Sequence, residues 1–514
     1  MLQDNKIWIG KAGDKKVSIF PGMANRHGMI AGATGTGKTV TLKVMAESFS
    51  DCGVPVFLAD VKGDLAAMCR PGTENETVKK RMDEFGLATE GFDFHAYPTA
   101  FWDVYAEKGM PLRTTISEMG PLLLSRIMGL NNTQSDILTI IFKIADDEGL
   151  LLIDTKDLRS MLQYVTENAA VYAAQYGNMA KASLGAITRA VVALESEGGE
   201  LFFGEPALNI TDWFSTDTSG KGTIHILDCQ KLINSPTMYA TFMLWMMSEL
   251  FETLPEAGDL EKPRMVFFFD EAHLLFDNAS KVLLDKIEQV VKLIRSKGVG
   301  IYFITQNPKD IPNGVLSQLG NKVQHALHAY TPTEQKAAKA AAQSFRENPD
   351  FDTYDTLLQL GIGEALVSVL DENGVPTVVE KCMILPPQSQ MGALDDATRT
   401  QQIQSNLLYV RYSNAIDRDS AYEFLQRKFA SDAEAAQKAK ADAASAKEAA
   451  KKEAARNRQI KSTTKSVASS AAGTIGRELG NSFGSSVGGS FGKKLGGNVG
   501  ASLGRGIMNT LFKL

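Results

Sequence analysis

An α/β fold with a mostly parallel sheet covered on both faces is what the sequence predicts, on three observations. Short apolar runs of strand length alternate with helical patterns, a glycine-rich loop joins one such run to a helix, and an Asp-Glu pair ends another run of five apolar residues. With 514 residues, 44% hydrophobic and 22% charged, the chain is long enough for roughly two to four domains and a large core, which excludes wholesale disorder.

In chain order, residues 7–20 alternate apolar and polar around Gly10-Lys-Ala-Gly-Asp14 and predict a hairpin. Strands follow over 28–31, 54–59, 223–227, 265–269, 300–305, 323–329 and 365–370. Between the second and third of these, helical periodicity over 116–128, 134–147, 155–175 and 182–197 predicts an inserted, mostly α-helical subdomain, because the gap is too long for a simple crossover. The expected organisation is 1–110 and 201–390 for the two parts of the core, 111–200 for the insertion, 391–430 for an amphipathic helical segment, 431–472 for an Ala/Lys/Glu-rich spacer helix, and 473–514 for a glycine-rich tail.

Charge divides along the same line. The chain has 54 basic and 60 acidic residues, but Ser431 to Leu514 holds 14 basic and 6 acidic, so an acidic body of 40 basic and 54 acidic residues precedes a basic tail. A broadly basic nucleic-acid-binding body is excluded. The four cysteines, Cys52, Cys69, Cys229 and Cys382, have no paired spacing, which predicts neither a disulfide framework nor a zinc site and suits a reducing cytoplasm. Neither a signal peptide at Met1 to Gly10 nor an eighteen-residue apolar run is found.

The tail carries an internal repeat of period four. Ile475-Gly476, Leu479-Gly480, Phe483-Gly484, Val487-Gly488, Phe491-Gly492, Leu495-Gly496, Val499-Gly500 and Leu503-Gly504 each set an apolar residue before glycine. On a helix that seam favours close crossings, and with Arg477, Lys493, Lys494, Arg505 and Lys513 it points to self-association or to a membrane surface; a flexible Gly/Ser tail is the other reading.

The strongest motif is Gly32-Ala33-Thr34-Gly35-Thr36-Gly37-Lys38-Thr39, after the strand Met29-Ile30-Ala31 and before a helical run opening at Val40. Its glycines let backbone N–H groups turn toward the phosphates of ATP at a helix amino terminus, Lys38 brings a point charge to the β- and γ-oxygens, and the Thr39 hydroxyl reaches Mg²⁺. In Met265-Val-Phe-Phe-Phe269-Asp270-Glu271-Ala272-His273 the carboxylates emerge at the carboxyl end of a strand, Asp270 to hold Mg²⁺ and Glu271 to act as general base toward water. Gln306, after the strand 300–305, is placed to sense the γ-phosphate or orient that water. Asp60, in Asp60-Val-Lys-Gly-Asp64, fits a metal shell or the start of a turn equally well, and Arg295 fits an ordinary helix-end charge.

Together with Arg295-Ser-Lys-Gly-Val-Gly-Ile-Tyr-Phe-Ile-Thr-Gln-Asn-Pro308, these motifs resemble the HerA/FtsK superfamily of ring-forming P-loop ATPases, and more narrowly the bacterial HerA-like ATPases and helicases, over residues 1 to about 430. The resemblance implies a RecA-like core, a homohexamer with ATP and Mg²⁺ at subunit interfaces, and double-stranded DNA in a central pore. It implies Lys38 and Thr39 on phosphate and Mg²⁺, Asp270 on metal, Glu271 as base, Gln306 as sensor, and Arg295 as a finger reaching a neighbouring subunit's nucleotide. Asn307 stands where the superfamily often has Arg. Local basic residues near the motif loops, Lys62, Lys309 and Lys322, are candidates to face DNA in such a pore. The expected function is thus an ATP-hydrolysing DNA translocase or helicase in the cytoplasm. The alternative is a nucleotide-switched assembly protein peripheral to the membrane, held there by the tail.

Overall fold

A computed structural model of the chain describes residues 1–277 and 281–463; the glycine repeat expected over 473–514, and the end of the spacer expected over 431–472, lie outside them. The described strands are β1 Leu2–Gln3, β2 Lys6–Ala12, β3 Lys15–Ile19, β4 Gly28–Ala31, β5 Val56–Asp60, β6 Thr99–Asp103, β7 Met110–Pro111, β8 Ile224–Asp228, β9 Met265–Phe269, β10 Val299–Thr305, β11 Asn321–Gln324, β12 Glu364–Ser368 and β13 Glu380–Ile384. They form one sheet in the order β1-β2-β13-β12-β11-β4-β10-β9-β5-β8-β6-β7, with β3 pairing β2.

Every pairing from β11 to β7 is parallel, and β12, β13 and the β2–β3 hairpin extend the sheet antiparallel on the β11 side. The fold is therefore the expected α/β architecture with a largely parallel, RecA-like sheet. The strand order matters most at β10, which lies between β4, the strand entering the glycine-rich loop, and β9, the strand ending in Asp270 and Glu271.

Burial on both faces follows from the alternation of side chains along each strand. In β9, Met265, Phe267 and Phe269 enter one core while Val266 and Phe268 enter the other. The second core lies under the helix Lys38–Asp51, through Leu42, Met45, Ala46 and Phe49. The first core is shared between the sheet, the mostly apolar helix Pro236–Thr253, and the helices Ile116–Ile127, Asn132–Asp147, Thr155–Glu167 and Lys181–Leu194. No described helix is long and apolar enough to cross a membrane.

Local departures from expectation have local causes. β6 and β7 lie between β5 and β8, at the end of the first part of the core and the start of the expected insertion, where no strand is expected, and they complete the parallel edge. β11 ends at Gln324 rather than running to Ala329, because the chain there turns to the glycine-rich loop and Ala326 O accepts the Ala33 N–H at 2.8 Å. The helix expected over 155–175 breaks at Asn168, whose backbone and side-chain N–H groups both donate to Tyr164 O, at 3.0 and 2.9 Å. The segment 391–430 holds the helices Asp396–Ser405 and Tyr409–Tyr412 and the start of Ala421–Thr463. That last helix packs through Phe424, Leu425 and Phe429 on the first core, and residues 431–453 are exposed throughout.

Candidate nucleotide-binding site

The loop between β4 and the helix Lys38–Asp51 is shaped by three glycines in the left-handed region, Gly32 (φ +151°), Gly35 (φ +80°) and Gly37 (φ +112°). Two of them are also crowded where a side chain would stand. A Cβ on Gly32 would stand 2.6 Å from the Cβ of His325, and one on Gly37 would stand 3.2 Å from Gly363 backbone. Gly37 precedes the helix without a side-chain cap, so the first N–H groups face the loop's interior, where an anion completes them.

Lys38 Nζ donates to the carbonyls of Gly32 (2.6 Å) and Ala33 (3.0 Å), which hold the ammonium across the loop. Burial, and then Lys62, lowers the Lys38 pKa against the pull of Asp270 and Glu271. Thr36 Oγ1 donates to Ala33 O at 2.7 Å, and Thr39 lies in the first turn of the helix beside Val40. Below the loop sits His325, whose Nδ1–H donates to Glu364 O at 2.8 Å while Nε2 accepts from Thr41 Oγ1 at 2.8 Å. Burial holds that ring neutral, with a pKa near 4.

Four strands end in or run into an aspartate at this edge, and their bonding separates them. Asp60 accepts the N–H groups of Gly63 (2.7 Å), Asp64 (3.2 Å) and Leu65 (3.2 Å), using both oxygens. Asp103 accepts from Tyr105, Glu107 and Lys108, and Asp228 from Gln230 and Arg399. Asp270 accepts only the N–H of Glu271, at 2.9 Å through Oδ1, which leaves Oδ2 without a hydrogen bond among the described residues. Burial, with Glu271 alongside, pushes Asp270 up to about 6. Asp60 is the turn former of its two readings; Asp270 keeps the carboxylate oxygen that a hard cation requires.

Glu271 is a non-glycine residue at φ +46°, a conformation that costs about 1 kcal/mol or more. It is held there from both sides. Ala272 N–H donates to Ile304 O in β10 at 2.9 Å, and Tyr239 Oη donates to Asp270 O at 2.6 Å. The Glu271 carboxylate meets Gln306 Nε2 at 3.5 Å and His273 Nδ1 at 3.4 Å. Gln306 is exposed at the end of β10, so the intervening strand brings the amide and the carboxylate together.

Arg295 is not brought to this edge. It precedes β10 in the 3₁₀ turn Arg295–Lys297, and the strand's six steps put it about 20 Å from the loop end. Of the three lysines expected near the motif loops, Lys62 and Lys309 are exposed, and Lys62 is near enough to shift both Lys38 and Asp270. Lys322 is spent within the fold, donating to Ser344 O at 3.2 Å over the Phe345 ring. Asn307 Oδ1 accepts from Lys309 N at 3.2 Å and starts a turn. Nothing in the sequence marks His325, because a lone histidine beyond a strand carries no signal, whereas His273 lies inside the Asp-Glu-Ala-His motif.

The residues present fit a nucleotide and a divalent cation: three glycines at positive φ shape the cradle, Gly32 and Gly37 are crowded by His325 and Gly363, the helix start is uncapped, and Asp270 keeps an unbonded oxygen among the described residues. Among the described residues no group of three or more His, Cys, Asp or Glu could hold a metal ion by itself.

The family model described as "Helicase HerA-like C-terminal" matches residues 6–513. "Probable helicase MJECL08" of Methanocaldococcus jannaschii is 32% identical over 154 residues, which is 28% of this chain and 28% of that protein. Among solved structures, VirB4 of Thermoanaerobacter pseudethanolicus is 16% identical over 74% of this chain and 97% of that one, with a TM-score of 0.48. The plasmid coupling protein TrwB in complex with ADP and Mg²⁺ is 13% identical over 73% and 88%, also with a TM-score of 0.48. A glycine-rich loop on β4 and an Asp-Glu pair on β9, one strand apart in a chain matched by that model almost from end to end, place the protein in the helicase HerA-like C-terminal family of P-loop proteins.

Proposed function

We propose that the protein is a Mg²⁺-dependent ATP hydrolase that works as a ring of identical subunits, most simply a hexamer, and couples hydrolysis to movement along double-stranded DNA. The observation that carries the hydrolytic part is the meeting of Glu271 with Gln306 at 3.5 Å, next to an aspartate with an unbonded oxygen and across β10 from the loop of Lys38. Gly32 to Val40 hold the phosphates, through backbone N–H groups and the Lys38 charge. Thr39 and Asp270 hold Mg²⁺, which neutralises charge on the β- and γ-oxygens. Glu271 accepts the proton of the attacking water and Gln306 orients that water.

The DNA part has separate support. The matched relative in M. jannaschii bears the name of a helicase, and Lys62 and Lys309 offer exposed charge at the loop ends of an otherwise acidic body. Binding there is local and falls with salt.

Steady-state hydrolysis tests both parts. Glu271→Gln is expected to lower kcat by about 10²- to 10³-fold while ATP still binds, as loss of a general base does. If ATP binding disappears with it, Glu271 is not the base. Duplex DNA at low salt is expected to raise the wild-type rate several-fold; a rate that DNA leaves unchanged removes the translocase and leaves the hydrolase.

A further inference from the structure

The sheet order dictates how a nucleotide lies across the loop. Asp270 and Glu271 end β9, two strands to one side of β4, while the turn Gly361–Gly363 enters β12, two strands to the other side. A triphosphate whose γ end faces Glu271 therefore sends its base toward that turn.

The turn is seated on the loop. Gly363 N–H donates to Thr36 O at 3.0 Å, and a Cβ on Gly37 would lie 3.2 Å from Gly363. On its other side Gly363, at φ +77°, is covered by Arg81 of the helix Glu76–Phe85: a Cβ there would stand 2.8 Å from Arg81 Nη2. Arg81 Nη2 donates to Ile362 O at 3.4 Å, but Arg81 Nη1, shielded from solvent, has no hydrogen-bond partner. Ile362, between the two glycines, is 78% exposed. A shielded guanidinium donor without an acceptor and a bare apolar side chain, side by side at the edge of a phosphate loop, are the two halves of a base-binding face.

We infer that Arg81 and Ile362 hold the purine base of the nucleotide, Ile362 packing on the ring and the Arg81 side chain turning so that its shielded, unpartnered Nη1 donates to an acceptor atom of the base or ribose edge. This assignment rests on the ATP-binding reading above and adds residues that no motif of the sequence marks.

Equilibrium binding of ATP and of inorganic tripolyphosphate to the full chain tests it, because tripolyphosphate occupies the loop and has no base. Arg81→Ala and Ile362→Ser are each expected to weaken ATP by about tenfold and to leave tripolyphosphate within twofold. Hydrolysis should show the loss in KM, with kcat near wild type. Lys79→Ala, on the same helix and exposed, should change neither ligand. Equal weakening of both ligands would mean that Arg81 acts on phosphate or on the loop itself, and would overturn the assignment. So would ATP affinity unchanged in both variants. A wild-type chain that binds tripolyphosphate and ATP equally would overturn the base face alone; one that binds neither overturns the ATP-binding reading with it.

Discussion

Asp60 and Asp270 bring the same side chain to the same edge of the sheet, and the number of N–H groups that converge on each decides what it can do. Asp60 satisfies three backbone donors of the turn after β5, while Asp270 satisfies one and keeps an oxygen for a cation. Asp60→Asn turns one acceptor into a donor facing a backbone N–H and is expected to destabilise the fold by about 1–3 kcal/mol, read as a lower urea midpoint. Asp270→Asn breaks no turn. It is expected to leave the midpoint unchanged or higher and to abolish the hydrolysis that Mg²⁺ supports; a midpoint lowered as far as that of Asp60→Asn would show that Asp270 is structural. The sequence placed both residues at strand ends and named the metal role for Asp270, yet left Asp60 open between two readings. The distinction lies in how the next five residues fold back, and neither composition nor spacing encodes that.

The glycine-rich loop was legible because its chemistry and its strand-loop-helix context coincide in one stretch of chain. The elements that brace it were not, since each contact comes from hundreds of residues away. His27, between Arg26 and β4, is the clearest case. It takes a left-handed φ of +57°, donates through Nε2 to Val291 O at 2.8 Å, and accepts the Ile301 N–H through Nδ1 at 3.1 Å. One ring thus ties the strand of the loop to the helix Lys281–Ile294, which leads directly into the turn of Arg295. Accepting at Nδ1 requires the neutral ring, and burial lowers the His27 pKa from 6.5 to about 4, with Arg295 adding to the effect. The native state therefore resists a proton that the unfolded chain takes. The contribution is whole above pH 6.5 and is lost as pH falls toward 4. His27→Gln should cost stability at pH 7, and the gap to wild type should shrink by about 2 kcal/mol on going to pH 5. Because both chains are measured at both pH values, buried carboxyls that titrate in the same range, such as Asp60, cancel. A gap that stays constant would mean the ring is charged in the fold. β6 and β13 escaped notice for another reason: Thr-Ala-Phe-Trp-Asp and Glu-Lys-Cys-Met-Ile are too short and too mixed to show a strand pattern without the neighbours that bury them.

At the scale of the whole molecule, the parallel sheet has a chemical edge and an opposite edge, and the residues read from the sequence divide between them. Lys38, Asp270, Glu271 and Gln306 lie at the carboxyl ends of β4, β9 and β10, whereas Arg295 lies before the start of β10. A side chain at that distance cannot reach its own subunit's nucleotide. If Arg295 takes part in hydrolysis, it does so on a second copy, and the complete site exists only in a head-to-tail assembly, which is a ring where the rotation between subunits closes. The argument yields a complementation test. Arg295→Ala subunits retain an intact loop and Lys38→Ala subunits retain an intact Arg295, so each variant alone is expected to be inactive while Arg295→Ala still binds ATP. Mixed one to one, the two form interfaces in which an intact loop faces an intact arginine, and random assembly makes about one interface in four of this kind. Activity should therefore return to about a quarter of wild type if sites act independently, and to less if the ring needs neighbouring sites to fire in turn. A monomer that used Arg295 in its own site would give no recovery at any ratio. A monomer that did not use Arg295 at all would leave Arg295→Ala active from the start. The three outcomes separate a ring from either monomer with one set of rate measurements, whatever polymer the protein moves.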